Sequence, residues 1–572
     1  MKRILITTAD ERTWPKDKSE PVLFLGEWCK KFSRHRYWSV FNSETVKYHW
    51  SDPDKVQKDY VYLNDLYEKY LPLLAKSLNS IHGENYSLRY WRIIIGPWLG
   101  RFIGILFDRY SSISGAIENY EVCDSCILNI SNNCAVPIDM HDFGYLCVRD
   151  DWNHYIYQTI LKNKCDFKIK SNSRICHVKV VSSKIRRFSM SLNKLNKVNF
   201  YASNHNKNRL IKLQLTLRQV PAFDYIDRIQ INCHYDEDLR KGISLNCDTD
   251  SDFENILHLL IRLQIPKSYV EAYRPIKQKN ISRYPLKTKV ILTAVGQSSF
   301  DDFKIWSAEQ SVKGAKLIIA QHGGHYGTSP FSSDELHEIK VSDKYFSWGW
   351  GQKVKKIVSM PSSKLAGTIK PNQNGDILMI MMELPRYHYL NISMPISSQF
   401  LDYFNNLLDF SKALKPYLKK DFKIRLCPGE QYWDSRQRIV DNNLGSLIDS
   451  KKNLDKKLSK RLEGCKICIA TYNATTFLET LSLNFPTLIY FDLKYWKLNS
   501  ISKEFFDELE SVGIMHYSME SLNEKLEQVY QNPMGWWLGG KVQTAKNNFC
   551  KKFANTSKEF NNDWKVEIQK YI

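Results

Sequence analysis

Short, uninterrupted apolar runs recur along the chain, and stretches with apolar residues three or four positions apart separate several of them. Continuous apolar runs are typical of strands that are buried on both faces of a parallel sheet. Because such strands alternate with helical stretches, the sequence predicts the α/β class with parallel sheets. The runs are RILITT (3–8), KVILTAV (289–295), AKLIIAQ (315–321), DILMIMM (376–382), FKIRLCP (422–428), CKICIATY (465–472) and PTLIYFD (486–492).

At least two domains are predicted from the chain length and from one polar break in the pattern. A chain of 572 residues exceeds what one core supports, which is roughly 250–300 residues. The stretch GTIKPNQNGD (367–376) has no apolar periodicity and is typical of an interdomain linker. We expect an N-terminal domain over 1–366 with an insertion over about 55–285, a C-terminal domain over 367–545 and a C-terminal helix over 546–572.

The most apolar segment, YWRIIIGPWLGRFIGILF (90–107), is predicted to form a buried helix pair that breaks at Pro97. Arg92 and Arg101 interrupt it, so no transmembrane helix is expected, and an interfacial membrane segment is the alternative. The N-terminal MKRILITTADE reaches acidic residues too early for a secretory signal and fits a first strand. Thirteen cysteines, an odd number, fit a reducing compartment better than a disulfide framework. A cytoplasmic protein is expected, with peripheral attachment to the inner membrane as an alternative.

The positive charge of the chain is concentrated in one segment. The formal net charge is +21, and between residues 152 and 223 there are fifteen basic residues and one acidic residue. Such a segment attracts anionic partners. We expect Lys184, Arg186 and Arg187 to contact the anionic inner-membrane surface beside a lipid-linked acceptor. A solvated polar face is the structural alternative.

Polar residues follow directly after most predicted strands. In parallel sheets ligands bind beyond the carboxyl ends of the strands, so these are the candidate site residues. Thr475 and Thr476 open a helix whose N-terminal N–H groups suit a phosphate, and Glu479 one turn later suits ribose hydroxyls. An N-cap threonine with a capping-box glutamate explains the same segment without a ligand. The candidates are Asp10, Glu11, His322, Gly323, Gly324, Arg386, Arg425, Tyr472, Asn473, Thr475, Thr476 and Glu479.

Metal and cofactor motifs are weak. DTDSD (248–252) holds an Asp-x-Asp pair and CDSC (123–126) a close cysteine pair, but neither has the further ligands of a metal site nearby. The sequence carries no P-loop, GxSxG or dinucleotide fingerprint. We therefore expect neither a metal nor a cofactor.

Several long motifs together resemble a family of bacterial transferases of surface-carbohydrate biosynthesis. They are ILITTADERTWP, SLRYWRIIIGPWLG, QHGGHYG, TYNATTFLETL with NFPTLIYFD, and the final WW…VQ…FC. The QHG and TYNATTFLETL segments are similar to those of capsule-polysaccharide transferases, polysialyltransferases and teichoic-acid glycerophosphotransferases. The resemblance implies the GT-B arrangement, in which two Rossmann-like domains face a cleft, here with a large helical and basic insertion in the N-terminal domain. It also implies a donor, often a cytidine nucleotide, held mainly by the C-terminal domain, and an acceptor held by the N-terminal one.

The resemblance also implies roles for individual residues. His322 falls where the glycerophosphotransferases carry a histidine proposed as base, and Thr475, Thr476 and Glu479 fall where GT-B enzymes hold the donor phosphate and ribose. Sialyltransferase-like enzymes often place a His-Pro pair at the CMP phosphate, whereas this chain has RLCP. The arginine of RLCP, Arg425, can contact a phosphate through two nitrogens and so take over that role.

We therefore expect a glycosyltransferase that moves a sugar, such as a nonulosonic acid or a Kdo-like sugar, from a CMP or other nucleotide donor to a surface glycan. His322 is expected to act as base, with Asp10 or Glu11 as substitutes across the cleft. Arg386, Arg425 and the helix N-terminus are expected to take the phosphate charge. Because a CMP leaving group carries one phosphate, the reaction does not require a metal.

Two other functions are compatible with the sequence. A CDP-alditol glycerophosphotransferase on the same scaffold would also release CMP but would add a polyol phosphate. A nucleic-acid-binding or membrane-binding protein without enzymatic activity would be supported by the basic segment alone. For the leading hypothesis, the expected partners are a nucleotide sugar, a glycan or lipid-linked glycan acceptor and the anionic inner-membrane surface, and no nucleic acid.

Overall fold

The computed structural model describes residues 2–165, 169–173, 193–222, 224–245, 249–390, 392–429 and 432–572. Lys184, Arg186 and Arg187, the predicted membrane contacts, lie outside these residues.

The strands of the described residues form three sheets. They are β1 (Arg3–Ile6), β2 (Val22–Phe24), β3 (Ser43–Thr45), β4 (Val122–Asn129), β5 (Ile169–Ser173), β6 (Val198–Phe200), β7 (Val290–Thr293), β8 (Lys316–Ala320), β9 (Lys344–Ser347), β10 (Ile357–Ser359), β11 (Asp376–Ile380), β12 (Phe422–Arg425), β13 (Cys465–Ala470), β14 (Thr487–Tyr490) and β15 (Met515–His516). The first sheet has the order β3-β2-β1-β4-β5, the second β10-β9-β8-β7-β6 and the third β12-β11-β13-β14-β15. All the pairings within these sheets are parallel.

Among the described residues, helices connect most of these strands. Those of eight or more residues are α1 (Pro53–His82), α2 (Leu88–Asn119), α3 (Asp150–Lys164), α4 (Lys207–Thr216), α5 (Asp252–Gln264), α6 (Tyr273–Arg283), α7 (Asp301–Val312), α8 (Ser333–Val341), α9 (Gln399–Ala413), α10 (Thr475–Ser482), α11 (Ser500–Ser511), α12 (Met519–Val529), α13 (Gly540–Phe553) and α14 (Phe560–Gln569). Shorter helices cover His35–Trp38, Asn132–Ala135, Met140–Leu146, Glu237–Lys241, Gly296–Ser299, Pro416–Asp421, Ser435–Asp441, Lys451–Leu454, Leu458–Leu462 and Pro533–Trp537.

The predicted α/β class with parallel sheets is confirmed. Each of the seven apolar runs contains a strand, namely β1, β7, β8, β11, β12, β13 and β14. The residues expected to form one N-terminal α/β domain contain two sheets, and β4, β5 and β6 lie within the expected insertion.

Helix α2 contains the apolar segment that was expected to break at Pro97, and that expectation is wrong. The helix begins at its N-cap, where the Ser87 side chain accepts a hydrogen bond from the Tyr90 N–H, and it continues unbroken through Pro97. A proline removes one helix hydrogen bond, but Ile95 and Trp98 beside it are fully buried, and this packing offsets the loss. Among the described residues, none of the helices has the length and apolar composition that crossing a membrane requires.

The chain end crosses back from the third sheet to the second. Helix α14 packs Phe560, Trp564 and Ile568 into the core that lines one face of the second sheet. The Trp564 indole N–H donates to the carbonyl of Pro361 (2.9 Å), just beyond β10. The second and third sheets are therefore joined both by the linker after β10 and by α14.

The carboxyl edge of the third sheet meets both other sheets. The Asn473 side chain, after β13, donates to the Thr328 hydroxyl after β8 (3.1 Å). The Arg386 guanidinium, after β11, donates to Asp150 at the start of α3 (2.6 Å). The second and third sheets thus face each other through their carboxyl edges. Strand order reverses between β1 and β4 and between β11 and β13, and ligands bind at such switch points in open α/β sheets.

Candidate functional site

The loop after β8, sequence QHGGHYG, is held by its first residue. Gln321 is buried, and its side-chain oxygen accepts from the Trp348 N–H (2.8 Å) and from the Trp350 indole N–H (2.7 Å). Its side-chain nitrogen donates to the Gly323 carbonyl (2.8 Å). Gln321 therefore fixes the loop against the segment after β9, and the histidine that follows it projects from a rigid base.

Gly324 lies directly against the start of α10. A Cβ added at Gly324 would lie 2.3 Å from the carbonyl carbon of Ala474 and 2.4 Å from the Thr475 nitrogen. Backbone atoms cannot move aside as a flexible side chain can, so this contact requires glycine. The predicted residues Gly324, Asn473 and Thr475 are thus brought together where the second and third sheets meet.

His322 faces two buried polar side chains. Its Nε2 lies 3.3 Å from the Tyr326 hydroxyl, and its Nδ1 lies 3.7 Å from a carboxyl oxygen of Glu338. The Tyr326 hydroxyl donates to the same carboxyl oxygen (3.1 Å). Burial lowers the pKa of His322 to about 4 and raises the pKa of Glu338 well above its ordinary value. At neutral pH His322 is therefore an uncharged imidazole, and the carboxyl group beside it is one whose burial favours its protonated form.

Lys364 supplies a positive charge that the sequence analysis missed. It is exposed, and it lies in the segment after β10 that leads to the third sheet. Its charge lowers the pKa of both His322 and Glu479, so it lies close enough to act on groups from both sheets. Burial raises the pKa of Glu479 and outweighs this effect there. The signal that points to Lys364 is its position after a strand, but β10 is too short to stand out in the sequence.

Three of the predicted residues, Tyr472, Thr475 and Thr476, lie at the start of α10. The Tyr472 hydroxyl and the Thr476 hydroxyl lie 2.7 Å apart and form a hydrogen bond. Thr475 is the first residue of the helix, which has no side-chain N-cap hydrogen bond. The capping box that was the structural alternative is therefore absent here. No N-cap side chain would compete with a phosphate for the N–H groups at this helix start.

Glu383 is a second group to which the sequence assigned no role, although it comes shortly after β11. Its carboxyl oxygens accept from the Ser435 hydroxyl (2.6 Å) and from the Trp433 N–H (3.4 Å), which fixes their orientation. Burial raises the pKa of Glu383 to about 7. A carboxyl group with this pKa at a switch point suits proton transfer at neutral pH.

The two predicted arginines donate hydrogen bonds to other groups of the protein, although the charge of Arg425 still acts on the Tyr472 hydroxyl at the start of α10. Arg425 donates to the carbonyls of Asn453 (2.7 Å), Leu454 (3.1 Å) and Lys456 (2.7 Å), so it caps a short helix. Arg386 is buried and donates to the Trp28 carbonyl and to Asp150. In this arrangement Arg425 holds its own domain together and Arg386 joins the third sheet to the first.

Asp10 and Glu11 line a separate cleft at the carboxyl edge of the first sheet. This polar cleft has a volume of about 770 Å³. It is lined by residues 9–12 and 148–151, by Lys31, Ser33 and Arg34, and by Arg386, Tyr432 and Asp434 from the part of the chain that forms the third sheet. Its acidic side chains are Asp10, Glu11, Asp150, Asp151 and Asp434. Its basic side chains are Arg12, Lys31, Arg34, Arg149 and Arg386. The structure does not bring Asp10 and Glu11 to His322, which follows a strand of a different sheet.

A family model described as the LIC12162 family transferase matches residues 3–568. Among solved structures, the chain is similar to a putative UDP-N-acetylglucosamine 2-epimerase from Listeria monocytogenes, with 11% sequence identity and a TM-score of 0.33. That match covers 75% of this chain and 92% of the other. No curated protein matches the sequence.

Proposed function

The chain belongs to the LIC12162 family of transferases, and from this premise we propose that it is a glycosyltransferase of surface-polysaccharide biosynthesis with a nucleotide-activated sugar as donor. The proposed sugar is a nonulosonic acid or a Kdo-like sugar, and the proposed nucleotide is CMP. The proposed acceptor is a glycan or a lipid-linked glycan at the inner-membrane surface.

One observation carries the proposal: the loop after β8 and the start of α10 meet where the carboxyl edges of the second and third sheets face each other. The helix N-terminus offers N–H groups to a phosphate, and Lys364 adds a positive charge beside it. Glu479, one turn into the helix, suits the ribose hydroxyls. A donor bound there would lie between the uncharged His322 and the third sheet.

Two groups can take the proton of the acceptor hydroxyl. His322 is the proposed base by resemblance, and Glu383 is the candidate that its position and pKa favour. The pKa is about 4 for His322 and about 7 for Glu383. The dependence of the rate on pH therefore distinguishes the two bases. A rate that is flat above pH 5 supports His322, whereas a rate that rises through pH 7 supports Glu383, because a base must be deprotonated to act.

The test is incubation of the purified chain with CMP-N-acetylneuraminate, CMP-Kdo, CDP-glycerol or UDP-N-acetylglucosamine and a bacterial glycolipid extract, followed by mass spectrometry. Release of a nucleotide with a product that gains one glycosyl mass supports the proposal. The variant His322→Ala should lose this turnover, while His35→Ala, at an exposed histidine outside the site, should retain it.

Two results would count against the proposal. A product that gains a polyol phosphate from CDP-glycerol would favour the alternative, a CDP-alditol glycerophosphotransferase. If none of these donors releases a nucleotide, the proposed glycosyl transfer from them is refuted.

A further inference from the structure

The polar cleft that Asp10 and Glu11 line has the position of a ligand site. It lies at the carboxyl edge of the first sheet, next to β1, where the strand order β3-β2-β1-β4-β5 reverses. Its volume of about 770 Å³ lies within the range of small-ligand sites, roughly 300–1,000 Å³. Residues from the part of the chain that forms the third sheet close one side of the cleft, so a ligand would contact residues associated with both the first and the third sheet.

The charges of the polar cleft balance. Five acidic and five basic side chains line it, so its formal net charge is zero. Arg34 and Glu11 form a bidentate salt bridge, with nitrogen–oxygen distances of 2.6 and 2.7 Å, and the hydrogen bond from Arg34 lowers the pKa of Glu11. Asp150 contacts Arg386 (2.6 Å) and Lys31 (3.4 Å). Carboxylates and cations therefore alternate around the walls.

This balance disfavours a charged ligand. A phosphate needs an excess of positive charge or a helix N-terminus, but the helix that starts here, α3, already carries Asp150 and Asp151 in its first turn. A metal ion needs several carboxylates without competing cations, whereas Asp150 and Glu11 are each paired with an arginine. The polar cleft thus differs from the site around His322 and Lys364, where the helix N-terminus carries no acidic residue in its first turn.

We propose that the polar cleft binds an uncharged saccharide. Each sugar hydroxyl both donates and accepts hydrogen bonds, so a polyhydroxylated ligand can bridge alternating carboxylates and guanidinium groups without carrying charge itself. The Tyr432 ring forms part of the wall and suits the apolar face of a sugar ring. The inference deepens the proposed function, on which it rests, by assigning an uncharged segment of the acceptor glycan to this cleft.

The experiment probes an array of immobilised neutral, sulfated, phosphorylated and sialylated oligosaccharides with the labelled full chain. The variants are Arg34→Met and Glu11→Gln, whose side chains are 53% and 30% exposed and therefore tolerate substitution. We expect retention on uncharged oligosaccharides, with a loss of about tenfold or more in each variant, because each removes charge-assisted hydrogen bonds. Arg36→Met, an exposed arginine outside the cleft, should bind like the native chain.

Three outcomes would overturn the inference: no uncharged oligosaccharide is retained, anionic glycans are preferred, or both cleft variants bind like the native chain. Nucleotide release measured on the same proteins separates this inference from the proposed function. Donor turnover without saccharide retention contradicts the inference, whereas saccharide retention without donor turnover contradicts the proposed function.

Discussion

Gly324 lets the second and third sheets meet at the proposed donor site. In Gly324→Ala the new methyl group would lie 2.3 Å from the backbone of Ala474, so the two loops must separate. We expect a stability loss of about 1–3 kcal/mol, as for other overpacked contacts, and loss of donor turnover. Thermal unfolding and nucleotide release measure the two effects.

Gly115 provides the matched control for this substitution. It lies within α2, and a Cβ added there meets nothing within 4 Å. Gly115→Ala should therefore stabilise the chain by roughly 0.5–1 kcal/mol, because alanine restricts the unfolded chain more than glycine does. Equal effects of the two substitutions would contradict the role given to Gly324.

Glu383 makes stability depend on pH. Its pKa is about 7 in the folded chain against 4.5 for the unperturbed group, so folding favours the protonated form. The stability that this preference contributes is complete below pH 4.5 and is lost as pH rises through 7. In Glu383→Gln, which does not titrate, the loss is absent, so the variant gains up to about 3 kcal/mol relative to the native chain between pH 5 and pH 8.

Urea unfolding at several pH values measures this gain. Glu524→Gln, at an exposed position, is the control and should show no gain that depends on pH. If Glu383→Gln and the native chain differ by the same amount at pH 5 and at pH 8, the raised pKa of Glu383 is refuted.

At the scale of residues, sequence position predicted some members of the site and not others. His322, Gly324 and Asn473 were found because each follows a strand that is visible as an apolar run. Lys364 was not, since the three residues of β10 give too little pattern. The pKa of Glu383 depends on burial and on neighbours far along the chain, and the sequence does not report these.

At the scale of elements, a buried ion pair lies within α7, and its carboxylate also connects that helix to earlier parts of the chain. The Lys304 ammonium lies 2.6 Å from Asp301, and Asp301 accepts hydrogen bonds from the Met140 N–H (2.9 Å) and the Ser268 hydroxyl (2.5 Å). Both side chains of the pair are essentially unexposed, at 0% and 1%. Lys304→Met leaves a buried carboxylate without its cation, so we expect a loss of about 3–5 kcal/mol.

Guanidinium unfolding measures that loss, and the double variant Lys304→Met/Asp301→Asn should recover part of it because no charge then remains uncompensated. Lys313→Met, at the exposed end of the same helix, is the control and should have little effect. A double variant that is no more stable than the single one would contradict the role of charge in this contact.

Strands were predicted where they are apolar and missed where they are short or exposed. β13 (Cys465–Ala470) is buried throughout and was visible as a run, whereas β3 (Ser43–Thr45) is polar and mostly exposed. The break expected at Pro97 did not occur because tertiary packing outweighs the cost of one proline. Local patterns therefore predicted the class of the fold but not the number of its sheets.

At the scale of the whole molecule, three parallel sheets converge on two sites of different charge. The third sheet meets the second around His322 and the first around the polar cleft, through contacts between residues such as Asn473 and Thr328 that are 145 positions apart. No local pattern in the sequence predicts such pairs. This division assigns the anionic donor and the uncharged acceptor segment to separate clefts.

The most direct test of the proposed donor site is hydrogen exchange of the full chain, measured by mass spectrometry with and without a bound nucleotide. The nucleotide is the one among CMP, CDP, UMP, UDP and GDP that most raises the melting temperature. We expect slower exchange in residues 321–328 and 471–482, at the loop after β8 and the start of α10, with residues 9–12 unchanged. Protection of residues 9–12 and 31–34 instead, or no protection by any of these nucleotides, would contradict the proposed donor site.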